Sequence, residues 1–102
     1  MLTDHNERLI DHIFTIAALA ILDGAKVRPC KYSTSARRLY MLDSPVEPLP
    51  IIIIYGRREY PTNVAVKSPA FTIQCRSSTA KIKRLQDLLE ARLREDAGDD
   101  DV

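Results

Sequence analysis

The chain has 102 residues and a formal net charge of +1. This length predicts a single domain with a modest core, because small domains bury a smaller share of their surface than large ones. The longest continuous apolar run, residues 16–22, is too short for a membrane-spanning helix, which needs roughly 20 such residues. Because the first residues carry acids where a signal peptide has a basic region, we expect no export by that route.

The charges fall into three blocks along the chain. Residues 26–84 carry twelve Lys and Arg against three acids, a net charge of +9. Residues 1–25 have a net charge of −3, and residues 85–102 have a net charge of −5. Such separation favours binding to an anion or to other copies of the chain, since opposite charges can meet across a head-to-tail contact or face a polyanion.

A first helix is predicted over residues 4–22. Thr3 or Asp4 can cap its free amides, and Gly24 follows as a left-handed stop. Apolar residues recur at helical spacing in the stripe Leu9, Ile13, Ile16 and Ala20. The second half of the helix is apolar nearly all round, which predicts that it is covered on most sides.

A second helix is predicted from Ser78 or Thr79, either of which can cap it, to about Glu95. Its core-facing stripe is Ile82, Leu85, Leu89 and Leu93, with Leu88 beside it. Basic residues in its first turns oppose the helix dipole, and an acidic neighbour would offset them. Residues 96–102, with three successive Asp, are expected to form a disordered acidic tail, which leaves residues 1–95 as the folded domain.

The middle of the chain is typical of β-strands. Residues 26–32 form a weak strand, and Pro29 confines it to a sheet edge or a bulge because proline lacks a ladder donor. After a turn at residues 33–35, residues 37–42 are predicted to be the hairpin partner of this strand. Residues 51–55 form the strongest strand, and their consecutive isoleucines put apolar groups on both faces, which predicts a central position.

The segments around the isoleucine strand carry the turn and loop signals. Residues 43–50 hold three prolines and predict a stiff extended connection, and residues 61–69 predict a loop. In residues 71–76, Phe71, Ile73 and Cys75 alternate with polar residues. This alternation predicts a strand with one buried face.

Together these elements predict an α+β fold with about four mainly antiparallel strands and with an N-terminal and a C-terminal helix packed on the sheet. If both helices lie on one face, the other side of the isoleucine strand still needs cover. A neighbouring subunit is the simplest supplier, although helices split between the two faces would also serve. The expected core residues are Ile13, Ile16, Ile52, Ile53, Phe71, Ile73, Leu85 and Leu89.

No residue set has the spacing of a catalytic, cofactor or metal site. His5 and His12 lie about two helical turns apart, roughly 10.5 Å by helical rise, which is too far for two ligands of one metal ion. The three glycines are not clustered, so no phosphate-binding loop is present. Cys30 and Cys75 are expected to be reduced and mostly buried, with a disulfide between them as the alternative. We therefore expect a protein that is not an enzyme and has no cofactor.

Basic residues fall on the predicted strands or at their ends. They are Arg28, Lys31, Arg37, Arg38, Arg57, Arg58, Lys67 and Arg76. Three interpretations stay open: ordinary solvated charge, contact with acidic surfaces of neighbouring subunits, and contact with a nucleic-acid backbone. Aromatic residues are only slightly interleaved with them, which gives little support to stacking on single-stranded nucleic acid.

Two segments carry a resemblance to a known family. Residues 49–55, Leu-Pro-Ile-Ile-Ile-Ile-Tyr, are a strand entered through proline, and residues 71–76, Phe-Thr-Ile-Gln-Cys-Arg, are a strand that runs into a helix. With the N-terminal helix and the hairpin, this order over about residues 4–95 resembles the small tail-terminator and tail-completion proteins of long-tailed bacteriophages. The chain is shorter than the larger members, and its acidic tail has no counterpart in them.

The resemblance implies a structural virion protein that forms a ring, commonly a hexamer, at the junction of tail and neck. Such a ring terminates the tail tube and joins it to the head connector protein, and genomic DNA passes non-specifically through its lumen. The implied partners are thus other copies of the chain, the tail tube protein, the connector and DNA, with no membrane. The implied localisation is the virion, after assembly in the host cytoplasm.

In this interpretation the basic sheet and the acidic helices make complementary contacts between subunits, with some basic residues lining the lumen. The expected subunit or DNA contacts are Arg37, Arg38, Arg57, Arg58, Lys67 and Arg76. The expected acidic interface residues are Glu90 and Glu95. The competing hypothesis is a monomeric or dimeric nucleic-acid-binding module that uses the same basic sheet, and the third is a nuclease or another enzyme.

Overall fold

A computed structural model describes residues 4–43 and 50–99. Within these ranges the elements are α1 (Asp4–Leu22), β1 (Lys26–Pro29), β2 (Arg37–Asp43), β3 (Ile51–Gly56), β4 (Pro61–Lys67), β5 (Thr72–Arg76) and α2 (Thr79–Asp99). The α+β class is confirmed, with five strands rather than four. Most of the predicted proline-rich connection lies outside the described residues.

The five strands form one antiparallel sheet whose order in space is the order in the chain. The isoleucine strand β3 is therefore central, as its apolar character on both faces predicts. β1 and β5 are the two edges, and Pro29 lies at the end of β1. An edge is the position that a proline without a ladder donor tolerates.

β4 occupies residues that the sequence predicts to be a loop. Pro61 is its first residue, where the missing N–H is tolerated, so the proline bounds the strand instead of interrupting it. Val64, Ala65 and Val66 are buried, and the strand pairs with β3 on one side and with β5 on the other. The prediction of a loop over residues 61–69 is therefore wrong for most of its length.

Both helices pack on one face of the sheet. Alternate strand residues point to opposite faces, and only one set of them joins the helices in the hydrophobic core. That core consists of Ile10, Ile13, Ala17, Val27, Tyr40, Leu42, Ile52, Ile54, Val64, Val66, Cys75, Ile82, Leu85 and Leu89.

Among the described residues, neither helix is long and apolar enough to cross a membrane.

Two predicted core residues are not buried and lie outside the core, and a third is buried on the other face of the sheet. Ile16 is only half-buried, because α1 turns Ala17 rather than Ile16 toward the sheet. Phe71 is 41% exposed, because it belongs to the β4–β5 turn and precedes the alternating residues of β5. Ile53 is buried, but its side chain lies on the face of the sheet opposite to the helices and outside the core cluster.

The helix ends are made as their residues predict. Gly24 has a φ of 95°, and the following residue, Ala25, donates its N–H to the carbonyl oxygen of Ala20 at 3.0 Å. This hydrogen bond and the left-handed glycine are features of the Schellman end of a helix. Ser78 caps α2, since its Oγ accepts the N–H of Lys81 at 3.3 Å.

α2 continues past Glu95 to Asp99. Asp96 is 2% exposed, and its Oδ2 accepts the backbone N–H of Val27 at 2.7 Å. Its Oδ1 lies 3.5 Å from Nη2 of Arg92. A buried carboxylate with these partners is part of the folded domain, so the predicted start of the tail at residue 96 is wrong; residues 100–102 lie outside the described part.

Candidate interaction surface

The face of the sheet opposite to the helices has an apolar centre. The strand register places Leu39, Ile53 and Ala65 side by side across β2, β3 and β4. Residues paired across the strands form rows on this face, and the rows next to this one add further apolar residues. The apolar set is Leu39, Met41, Ile51, Ile53, Tyr55 and Ala65. Ile53 and Ala65 are buried by their neighbours in the sheet, whereas the other four are half-buried. We call this surface the open face, since neither described helix lies over it.

Basic side chains surround the apolar centre. Arg37 and Arg76 end the row that contains Tyr55, and Lys67 lies beside Ile51 in the opposite row. All three basic residues are exposed. Lys26 and Arg28 share this face at the β1 edge, where Nε of Arg28 lies 3.6 Å from Oδ2 of Asp43. The result is a basic rim around an apolar patch.

The open face has the chemistry of an interface. Interfaces have an apolar core and a polar rim, and soluble monomers rarely expose large contiguous apolar patches. A basic rim selects a partner with acidic groups at matching positions, either carboxylates of a protein or phosphates. Arg37, Lys67 and Arg76 are thus brought together on one surface, as the subunit-contact hypothesis requires.

Arg38 does not belong to the rim. It lies one residue from Arg37, on the helix-covered face, and is 5% exposed. Its Nε and Nη2 donate to Oε1 of Gln86 at 2.9 and 2.6 Å. Its Nη1 donates to the carbonyl oxygens of Ser35 and Gly56 at 2.9 and 2.8 Å. Arg38 therefore joins the turn before β2 and the end of β3 to α2, and the prediction that it contacts a subunit or DNA is wrong.

Arg57 and Arg58 have different environments although they are adjacent. Arg57 is exposed and lines an open groove of about 710 Å³ together with Arg38, Arg58, Glu59 and the turn residues Ser33, Thr34, Ser35 and Ala36. Arg58 instead forms an ion pair with Glu90 of α2. Arg57 stays available to a partner, whereas Arg58 is engaged within the chain.

The pair of Arg58 and Glu90 is extended by Tyr40. The hydroxyl of Tyr40 donates to Oε1 of Glu90 at 2.8 Å. Burial and the nearby Glu90 raise the pKa of Tyr40, and the hydrogen bond to Glu90 raises the pKa of Arg58. Burial alone would raise the pKa of Glu90, but the hydrogen bonds from Tyr40 and Arg58 hold it below the ordinary value. Glu90 is therefore a charged internal link, and its role at a subunit interface stays a prediction.

The other acidic residues mostly lie on the helices. Glu95 is exposed and its Oε2 lies 3.0 Å from Nη1 of Arg92 on the same helix. Oδ1 of Asp11 lies 3.9 Å from Nζ of Lys81, so α1 supplies an acid near the basic start of α2. The carboxylate partly offsets the unfavourable interaction between the basic first turn of α2 and the helix dipole.

The described residues contain no group of three His, Cys, Asp or Glu side chains that could hold a metal ion. His5 and His12 are exposed on α1. Cys30 and Cys75 are free thiols, and burial raises the pKa of Cys75. A buried thiol with a raised pKa is a poor nucleophile.

No family model, no curated protein and no solved structure matches this chain.

The sequence pattern did not predict which residues form the open face. Its members alternate with core residues along β2, so that Arg37, Leu39 and Met41 face one way and Arg38, Tyr40 and Leu42 the other. Both sets combine one arginine with apolar residues. Only the position of the helices decides which set is covered.

Proposed function

We propose that this chain is a structural virion protein that forms a ring at the end of a phage tail tube and joins the tube to the head connector. The observation that carries the proposal is the open face, an uncovered apolar centre with a basic rim. A neighbouring subunit would cover it. The order of helix, hairpin, proline-entered strand, strand and helix supplies the resemblance from which the ring, its place in the virion and its hexameric copy number are inferred.

The charges favour a contact between two different surfaces of the chain. Glu7 and Asp11 are exposed on α1, on the side of the sheet opposite to the basic rim. A contact of one surface with another repeats from copy to copy and closes into a ring when the rotation permits. Complementary charges would set the orientation and speed of this contact more than its strength.

Arg57 is the residue that we assign to the lumen or to the next ring. It is exposed just after the central strand and lines the open groove. Contact with the genomic DNA would be made to phosphates without regard to sequence, and salt would weaken it because binding releases counterions.

The proposal is tested on the purified protein by light scattering and by negative-stain electron microscopy. We expect rings, and we expect Leu39→Asp to abolish them, since it puts a carboxylate without a partner in the contact. Leu22→Asp is the matched control: it makes the same change at a residue that is 80% exposed on α1, and it should leave rings intact. Circular dichroism verifies that both variants are folded.

A joining assay tests the place of the ring. Purified heads and tails should join only when ring-forming protein is added, and Leu39→Asp protein should not support joining. The proposal is wrong if the parent protein forms no ring and does not bind purified tail tubes.

The basic rim around Tyr55 favours a second candidate, a nucleic-acid-binding module. The two candidates separate in a fluorescence anisotropy titration of labelled single-stranded DNA at physiological salt. Tight binding by a ring-free species, lost on Arg37→Glu and Arg76→Glu, would favour the module; binding only by the assembled species would favour the ring.

A further inference from the structure

The two edges of the sheet differ in their free hydrogen-bonding groups. Leu42 of β2 lies opposite Val27 of β1, and it donates its N–H away from β1, to the carbonyl oxygen of Pro50. Val27 and Leu42 are therefore a pair without hydrogen bonds between them, and the backbone groups of Val27 and Pro29 point away from β2. The N–H of Val27 is taken by Asp96, and Pro29 has no N–H. The outer edge of β1 therefore offers no free donor from these two residues.

The outer edge of β5 is open. Ser68 donates its N–H to the oxygen of Phe71 at 2.9 Å, and bonded pairs alternate along an antiparallel ladder. Ile73 and Cys75 therefore bond to β4, whereas Thr72, Gln74 and Arg76 turn their N–H and C=O groups outward. Within the described part of the chain no partner accepts or supplies these backbone hydrogen bonds. An edge of this kind is a template for another strand.

The helix that lies over β5, α1, turns one flank toward this edge of the sheet. α1 packs on β5, and its flank with Asp11 and Phe14 meets α2 around a small cavity. At 100° per residue, Leu9 and Ile16 lie on the opposite flank, which is turned away from α2 and also carries the exposed His5 and His12. Both are half-buried, and Leu19 nearby is 56% exposed.

We propose that β5 of one copy pairs antiparallel with β5 of a second copy about a two-fold axis at Gln74. In this register Gln74 faces Gln74 of the second copy and Thr72 faces Arg76, so the outward groups of all three residues find partners and no two arginines face each other. The flanks of the two α1 helices that carry Leu9 and Ile16 then lie on the same side of the shared sheet. A second copy fits both features, since it brings the same edge and the same flank together.

The blocked edge of β1 limits this association to a pair. A copy cannot add its β5 to the β1 edge of another, because the donors there are absent or already used. Two copies would share one continuous sheet with both open faces on the same side, and those faces stay uncovered. The inference therefore uses a different surface from the proposed ring and does not depend on it.

Disulfide trapping tests the register. In a Cys30→Ser background, Gln74→Cys should give a covalent dimer on mild oxidation, since paired residues at the axis have Cα atoms about 5.5 Å apart, within disulfide reach. Thr72→Cys is the matched control on the same edge: its two copies would be offset by about 14 Å along the strands and should not cross-link. Equal trapping at both positions, or none at position 74, would overturn the proposal.

Sedimentation equilibrium tests the energetics without new thiols. Gln74→Lys puts two cations opposite each other and should raise the dimer Kd at least about tenfold, whereas Thr72→Glu faces Arg76 and should lower it. Leu39→Asp on the open face should leave the dimer Kd unchanged. Thermal unfolding verifies that each variant is folded. A dimer that resists Gln74→Lys, or that dissociates with Leu39→Asp, would show that the pair forms through another surface.

Discussion

The two faces of the sheet are built from the same kinds of residue but have different surroundings. On the covered face, Ile52 and Ile54 are fully enclosed between the helices and the strands. On the open face, Ile53 is 4% exposed only because its neighbours in the sheet surround it. The arginines repeat the contrast, with Arg38 enclosed and Arg37 exposed.

This contrast separates stability from interaction. A polar change on the covered face leaves a group without water or a partner, so it costs folding free energy. The same change at a half-buried position of the open face, such as Leu39, can be hydrated in the free subunit and costs mainly the association. Four substitution pairs test the distinction.

The largest difference is expected between neighbouring isoleucines. Ile54→Asp should unfold the domain, because an unpaired carboxylate inside the core costs several kcal/mol against a total stability of roughly 5–15 kcal/mol. Ile53→Asp should remain folded with a loss of about 2–4 kcal/mol from lost packing. Urea unfolding followed by circular dichroism measures both, and equal losses would mean that the open face is covered within the subunit.

The adjacent arginines give the next largest difference. Arg38→Ala should lower the free energy of unfolding by about 2–4 kcal/mol, since it leaves the acceptors of Gln86, Ser35 and Gly56 unsatisfied. Arg37→Ala should change it by less than about 0.5 kcal/mol. Chemical unfolding at one pH compares them, and a neutral Arg38→Ala would mean that water replaces the guanidinium.

The Glu90 link should make stability depend on pH. The pKa of Glu90 is lowered in the folded state. The contribution of its ionised carboxylate to the free energy of unfolding is therefore complete above the ordinary glutamate pKa of about 4.3, and it is lost as pH falls through the folded value. Glu90→Gln should lower stability by about 1–3 kcal/mol at neutral pH, and the gap to the parent should close in acid. Thermal midpoints against pH measure this.

Glu95→Gln is the control for this pH dependence, because Glu95 is exposed and its partner within the described residues is Arg92 on its own helix. Its gap to the parent should be small at every pH. A Glu90→Gln gap that stays constant down to acid pH would contradict the charged link.

The rim should give the smallest effect on folding. Lys67→Glu should change stability by less than about 0.5 kcal/mol but should weaken assembly, most strongly at low salt where charges are least screened. Lys83→Glu makes the same change at an exposed site on α2 and should not affect assembly. Light scattering over a salt series distinguishes the two variants. Equal effects on assembly would mean that the basic rim does not take part in the contact between subunits.

The sequence by itself determined the features that depend on neighbouring residues along the chain. The isoleucine run required a strand with two apolar faces, Pro29 required an edge, Gly24 ended α1 and Ser78 capped α2. The run Val64, Ala65 and Val66 was also a strand signal, but the flanking prolines concealed it. These features are local because backbone conformation and alternation are set over a few residues.

Only the tertiary structure decided which of two equivalent patterns is enclosed. Arg37 and Arg38 are indistinguishable as neighbours in a strand, and the position of α2 with Gln86 buries one of them. Likewise, Asp96 is indistinguishable in the sequence from the acids that follow it. In the structure it is set apart because it accepts the backbone N–H of Val27, which is far away in the chain. Burial and charge pairing depend on contacts between distant segments, so the open face, the blocked edge of β1 and the open edge of β5 become visible only when the strands are side by side.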